Sequence, residues 1–169
     1  GVSTLESVFS RNGNFVAVGY GGAILTSQDG INWTSRSSGN SYFYHDVVYG
    51  NDKFVVVGQY GTILTSSDLI SWDTALSGQY PSLNGVTYAN GTFVAVGDSG
   101  TILTTSGDPF EGNEWVSRTT DYSMHLNGLA YGNGKFVAVG NSGQILTSSD
   151  GSTWNAQSSG AGNNFISVA

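Results

Sequence analysis

Apolar residues in this chain come in short runs set between small polar turns, and no stretch keeps a helical period. FVAVG at 15–19, FVVVG at 54–58, FVAVG at 93–97 and FVAVG at 136–140 are each followed, after a Gly-containing turn, by ILTS or ILTT. Runs this short, rich in β-branched and aromatic residues and bounded by Gly, Asn and Ser, predict β-strands. The second unit divides into HDVVY (45–49), KFVVVG (53–58), TILTS (62–66) and SWDTAL (71–76), so four strands are expected per unit. Asn12-Gly13, Asn51-Asp52, Asn90-Gly91 and Asn133-Gly134 fit type I′ hairpin turns, whose central residues need positive φ. Gly22, Gly61, Gly100 and Gly143 close the second turn, where a left-handed backbone is tolerated.

The units repeat. Phe15, Phe54, Phe93 and Phe136 are spaced by 39, 39 and 43 residues, and Trp33, Trp72, Trp115 and Trp154 by 39, 43 and 39. The four extra residues therefore fall in SGDPFEGNE, between Ser106 and Trp115, as expected of a surface-loop insertion. A sheet of about 39 residues cannot bury both faces alone, and radial stacking of such sheets is a β-propeller. The expected fold is all-β: one domain over 1–169, a propeller of four-stranded antiparallel blades at 5–43, 44–82, 83–125 and 126–164. Residues 165–169 repeat the register of the first inner strand. The expectation that follows is a chain completed by a second copy, as a homo-oligomer, or by being part of a longer propeller.

The turns before each Trp carry a further pattern. Ser27-Gln-Asp29-Gly30-Ile-Asn-Trp33 and Ser148-Ser-Asp150-Gly151-Ser-Thr-Trp154 resemble a shortened Asp box, the S-x-D-x-G-x-T-W hairpin of sialidase-like and BNR-repeat propellers. Ser66-Ser-Asp68-Leu-Ile-Ser-Trp72 lacks the glycine, and Ser106-Gly-Asp108 runs into the insertion. The repeat also resembles WD40/YVTN/BNR-type tandem arrays of bacterial secreted and envelope proteins, which implies an extracellular or cell-surface location. The resemblance implies that Asp29, Asp68, Asp108 and Asp150 accept backbone N–H bonds within their turns, and that Trp33, Trp72, Trp115 and Trp154 cover the hairpins. All four Trp are expected to be largely buried. One carboxylate per turn is too few for calcium, so no metal and no cofactor is expected.

Charge and candidate chemistry narrow the function. Five Lys and Arg against twelve Asp and Glu give a net charge of −7, which cannot build a phosphate-binding footprint, so nucleic acid is excluded as a partner. No apolar stretch approaches the length of a membrane helix, and membrane insertion is not expected. With no Cys there is no disulfide or thiolate site. A sialidase would bring an arginine cluster, yet Arg36 and Arg118 stand on expected outer strands and Arg11 beside a hairpin turn. A glycosidase needs two suitably placed carboxylates. Glu6 and Asp46 lie near inner strands, while Glu111 and Glu114 belong to the inserted loop. His45 and His125 fall two places apart in the repeat register, without a Ser or Cys arranged as a nucleophile.

No catalytic set is therefore assigned, and the chain is read as non-enzymatic. The loops that link one unit to the next vary most, and they carry Tyr42, Phe43, Tyr80, Tyr122 and Met124, the candidate ligand-binding residues. Tyr44, Leu83, Leu126 and Phe165 share one register position and are assigned to core. The expected function is binding or adhesion, with a glycan or a protein ligand at the loops. The alternatives are a glycoside-active sialidase-like enzyme and a structural repeat array.

Overall fold

The structure is a computed structural model that describes residues 4–107, 109, 114–118 and 120–169. Its strands form four antiparallel sheets of four, each ordered as in the sequence. Blade 1 holds β1 (Leu5–Arg11), β2 (Asn14–Gly19), β3 (Ile24–Ser27) and β4 (Thr34–Arg36). Blade 2 holds β5 (Tyr44–Gly50), β6 (Lys53–Gly58), β7 (Ile63–Ser66) and β8 (Asp73–Leu76). Blade 3 has β9 (Leu83–Ala89), β10 (Thr92–Gly97), β11 (Ile102–Ser106) and β12 (Val116–Ser117). Blade 4 has β13 (Leu126–Gly132), β14 (Lys135–Gly140), β15 (Ile145–Ser148) and β16 (Asn155–Gln157). The fold is a β-propeller with four blades in this chain, as the repeat predicts.

The turns follow their residues. Asn12, Asn51, Asn90 and Asn133 have φ between 45° and 50°, and the residue after each is also left-handed, as type I′ hairpins require. These hairpins, and the Ser-x-Asp turns of blades 1, 2 and 4, lie at one end of the blades. At the other end lie the short 3-10 turns that join the second and third strands, and the links between blades.

Each junction is a layer of apolar side chains from two blades. Val16, Val18 and Ile24 of blade 1 meet Tyr44, Val47, Phe54, Val56 and Leu64 of blade 2, and the same register is used at the next two junctions. In every junction the Trp belongs to the later blade: Trp72 packs toward blade 1, Trp115 toward blade 2 and Trp154 toward blade 3. Trp33 therefore lies on the face of blade 1 that none of blades 2 to 4 covers in this way. It is 38% exposed against 8% for Trp115, which corrects the expectation that all four Trp are buried. Val8 on the same face is 63% exposed, whereas Val47, its register equivalent, is 3% exposed. The assigned core position fares similarly. Tyr44, Leu83 and Leu126 are fully buried, and Phe165 is half-buried beyond blade 4.

Candidate functional site

The site begins with a repeated irregularity. In each inner strand the pairing slips by one residue: Leu5 pairs Gly19 but Ser7 pairs Val18, and Tyr44 pairs Gly58 but Asp46 pairs Val57. The same slip stands between Leu83 and Gly85 and between Leu126 and Gly128. The residues left over are Glu6, His45, Asn84 and Asn127. A bulge of this kind bends a strand and re-aims a side chain. All four line one open cavity of about 740 Å³, joined there by Asp46, Asp98 and Asn141.

Hydrogen bonds knit that cavity across blades. Asn84 Nδ2 donates to the Leu126 carbonyl at 3.0 Å and to Asp98 Oδ1 at 2.9 Å. Asn127 Nδ2 donates in the same way to the Phe165 carbonyl and to Asn141 Oδ1. Residues 165–168 thus take the place beside blade 4 that the start of each inner strand takes beside its predecessor. Asp46 accepts from Ser7 Oγ of blade 1 at 2.8 Å, from its neighbour Val47 N–H at 2.9 Å and from Val86 N–H of blade 3 at 2.9 Å. Burial raises the Asp46 carboxyl above the usual range, against these three bonds, which lower it. His45 beside it is depressed by burial, with Glu6, Asp98 and Asp46 acting in the opposite sense.

The mouth of the cavity is rimmed by the 3-10 turns and the interblade links. At the junction of blades 3 and 4, His125 Nδ1 lies 2.9 Å from Asp98 Oδ1. At the equivalent place between blades 1 and 2, Tyr20 and Phe43 stack with centroids 4.4 Å apart and a tilt of 44°. Tyr42, next to Phe43, meets Tyr60 edge-on at 5.2 Å. Two ring pairs thus stand at the junction of blades 1 and 2 and an acid–imidazole pair at that of blades 3 and 4, at the end of the blades where the 3-10 turns lie; of these groups Asp98 lines the cavity itself.

Among the residues singled out from sequence, Tyr42 and Phe43 join this cluster, both half-buried. Tyr42, Tyr80 and Tyr122 pack against the cores of the first, second and third junctions, and Met124 is exposed beside His125. Glu6, His45 and Asp46 come together in the cavity although they are scattered along the chain, and His125 is joined to it through Asp98. Asp108 and Glu111 lie outside the described residues, and Glu114 is exposed. Arg36 and Arg118 each donate Nε to a neighbouring-strand Thr, Thr26 and Thr104, away from the mouth.

The Ser-x-Asp turns are closed on themselves. Asp29 Oδ1 accepts from Asn32 N–H at 2.7 Å and from Ile31 N–H at 2.8 Å, and these bonds hold its carboxyl far below the usual range. Asp68 and Asp150 repeat the arrangement with Ile70 and Ser71 and with Ser152 and Thr153. Trp33 and Trp154 donate Nε1 to the carbonyls of Gly30 and Gly151. Asn32 Nδ2 also donates to Asp29 Oδ2, and Asn90 Nδ2 donates to the Tyr131 hydroxyl. Among the described residues no group of three or more His, Asp or Glu is placed to hold a metal ion.

Sequence reasoning missed Tyr20, Tyr60, Asn84, Asp98 and Asn127. The signal for them was register: positions 6, 45, 84 and 127 read Glu, His, Asn and Asn, and positions 21, 60, 99 and 142 read Gly, Tyr, Ser and Ser.

No family model matches the chain, and no curated protein matches it either. Solved structures do. YCF48 bound to D1 peptide superimposes with a TM-score of 0.70 at 21% identity, over 93% of this chain and 55% of that one. YCF48 from Cyanidioschyzon merolae gives 0.68 at 20% identity, over 93% of this chain and 58% of that one. An exo-1,5-α-L-arabinanase from a bovine ruminal metagenomic library gives 0.52 at 11% identity, over 95% and 76%. At such identities the likeness is one of fold. The chain spans little more than half the length of the two YCF48 structures.

Proposed function

We propose that this chain is a non-enzymatic binding module that holds a segment of another protein across its axial mouth. The observation that carries the proposal is the set of inner-strand bulges. They bring Glu6, His45, Asn84 and Asn127 into one open cavity beneath a rim of paired aromatic and acid–imidazole groups. Such a surface offers apolar anchors beside hydrogen-bonding groups, the mixture found at protein interfaces. A solved propeller of similar fold carries a bound peptide, which supports the choice of a protein segment as ligand.

The reading as non-enzymatic rests on Asp46. Both of its oxygens already accept bonds from three blades' worth of donors, which suits a carboxylate that ties inner strands together. Its raised proton affinity is accounted for by burial in that tie. We also read the Ser-x-Asp hairpins as Asp-box-type turns, because Asp29, Asp68 and Asp150 each collect two backbone N–H groups.

The test is selection of binding peptides by display on the purified chain, with Asp98→Ala and Tyr20→Ala as counter-targets. Peptides that bind the chain and are lost on both variants support the proposal. Turnover of glycoside substrates abolished by Asp46→Asn, with no peptide selected, would overturn it.

A further inference from the structure

We infer that the segment held at the mouth is cationic and contains proline, with the ring of Tyr60 as its anchor; this rests on the reading of the mouth as the binding surface. The inference starts from backbone conformation. Each 3-10 turn places its middle residue in the left-handed region: Gly21 at φ 70°, Tyr60 at 59°, Ser99 at 56° and Ser142 at 56°. A β-carbon is unfavourable there, and a bulky aromatic residue more so than Gly or Ser. Three of the four blades use a small residue at this position, and blade 2 alone carries Tyr.

Closure of the turn gives no reason for the exception. The turn is closed in the same way in blades 2, 3 and 4: Thr62 N–H donates to the Gln59 carbonyl, Thr101 N–H to Asp98 and Gln144 N–H to Asn141. The Tyr60 side chain is 53% exposed, and its ring meets Tyr42 edge-on at 74°. A strained residue whose ring is more than half exposed and meets its own fold at the edge of Tyr42 is the pattern of a binding anchor.

The neighbours of Tyr60 define what it would anchor. Tyr42 touches it, Phe43 follows Tyr42, and Tyr20 stacks on Phe43. Within the two pairs the ring planes are inclined at 44° and 74°, so each pair presents angled slots and edges instead of one flat face. A polyproline II segment, ridged by its pyrrolidine rings and already extended, fits angled aromatic slots. A pyranose favours an open, flat ring face. Charge completes the description. The axial cavity at the same end of the blades is lined by Glu6, Asp98, His45 and the internally bonded Asp46, with no Lys or Arg among its described lining residues. In a chain of net charge −7 such a mouth attracts a cationic segment, and a guanidinium or ammonium also finds the faces of the Tyr rings favourable.

The experiment is fluorescence anisotropy with a labelled peptide repeating Pro-Pro-Arg, against Ala-Ala-Arg and Pro-Pro-Glu repeats of equal length. Tyr60→Gly removes the ring and gives blade 2 the residue that blade 1 has there, so its melting temperature should stay level or rise. The Pro-Pro-Arg peptide is expected to bind, and each control peptide, and Tyr60→Gly, to weaken binding about tenfold or more, the scale of an interface anchor. Binding of Ala-Ala-Arg or Pro-Pro-Glu as tight as that of Pro-Pro-Arg would overturn the inference, and so would unaltered affinity in a folded Tyr60→Gly. If display selection returns a different peptide class that is lost on Asp98→Ala, this inference fails while the mouth remains the binding surface. If the mouth retains only glycans, both fail.

Discussion

Asp98 and His125 meet 2.9 Å apart at the junction of blades 3 and 4, in the place that Tyr20 and Phe43 occupy between blades 1 and 2. One repeated scaffold thus offers chemically different pairs around a single opening. Both members of the acid–imidazole pair are well exposed, so the contact adds little to folding. Asp98 also accepts from Asn84 Nδ2, so the pair is isolated by His125→Ala, which should change stability by less than about 1 kcal/mol while weakening any peptide selected on the chain. Chemical denaturation and a binding isotherm on the same preparation check this. A large loss of stability with unchanged affinity would make the pair a structural tie.

The position of each Trp within its junction ranks the cost of losing it. Trp115 is buried between blades 2 and 3, and Trp115→Ala should destabilise by about 3 to 5 kcal/mol, the range for large aromatic truncations in cores. Trp33→Ala should cost clearly less, because its face is open. Denaturant midpoints of the two variants give the comparison, and equal losses would mean that Trp33 is covered in solution.

Register equivalents need not tolerate the same change. The ring of Tyr88 lies directly on Gly50, whereas nothing stands within 4 Å of where a β-carbon on Gly132 would be. Neither glycine needs a positive φ. Gly50→Ala should destabilise by about 1 to 3 kcal/mol through overpacking, while Gly132→Ala should be neutral or stabilise by up to about 1 kcal/mol through the unfolded chain. Melting temperatures that fell equally would contradict the packing of this junction.

Acid should weaken the fold through the hairpin turns. The carboxyls of Asp29, Asp68 and Asp150 are held below their usual range, first by the backbone N–H groups of Asn32, Ile70 and Thr153. Their contribution is fully present above the unfolded value near about 4 and is lost as pH falls through the lower folded values. Asp46 acts oppositely: burial raises its folded value, so folding gains as pH falls through it. Asp29→Asn keeps one acceptor oxygen and removes one titration, so thermal stability should fall less steeply below about pH 4 than in the parent chain. An unchanged slope would show that the turn carboxylate is not linked to folding.

Much of this architecture was legible in the repeat. The fourfold recurrence of FVAVG, Asn-Gly and ILTS specifies strands, hairpins and blades, because each is a local preference that the fold also requires. The turn role of Asp29, Asp68 and Asp150 was legible for the same reason. Trp33 was misread because a repeat states what a residue is and not which neighbour covers it. Tyr60 was overlooked because it stands inside a turn whose other copies read Gly or Ser, and only backbone conformation shows that it is strained. The axial set was hidden because a bulge changes the direction of Glu6, His45, Asn84 and Asn127 without changing their residue types.

The mouth as binding surface is tested most directly by amide chemical shifts of the labelled chain during titration with the tightest peptide from display selection. Shifts should concentrate at 20–22, 42–46, 59–61, 98 and 125, with the turns at Asp29, Asp68 and Asp150 unmoved. Shifts confined to those turns, at the opposite end of the blades, would contradict the assignment of the mouth.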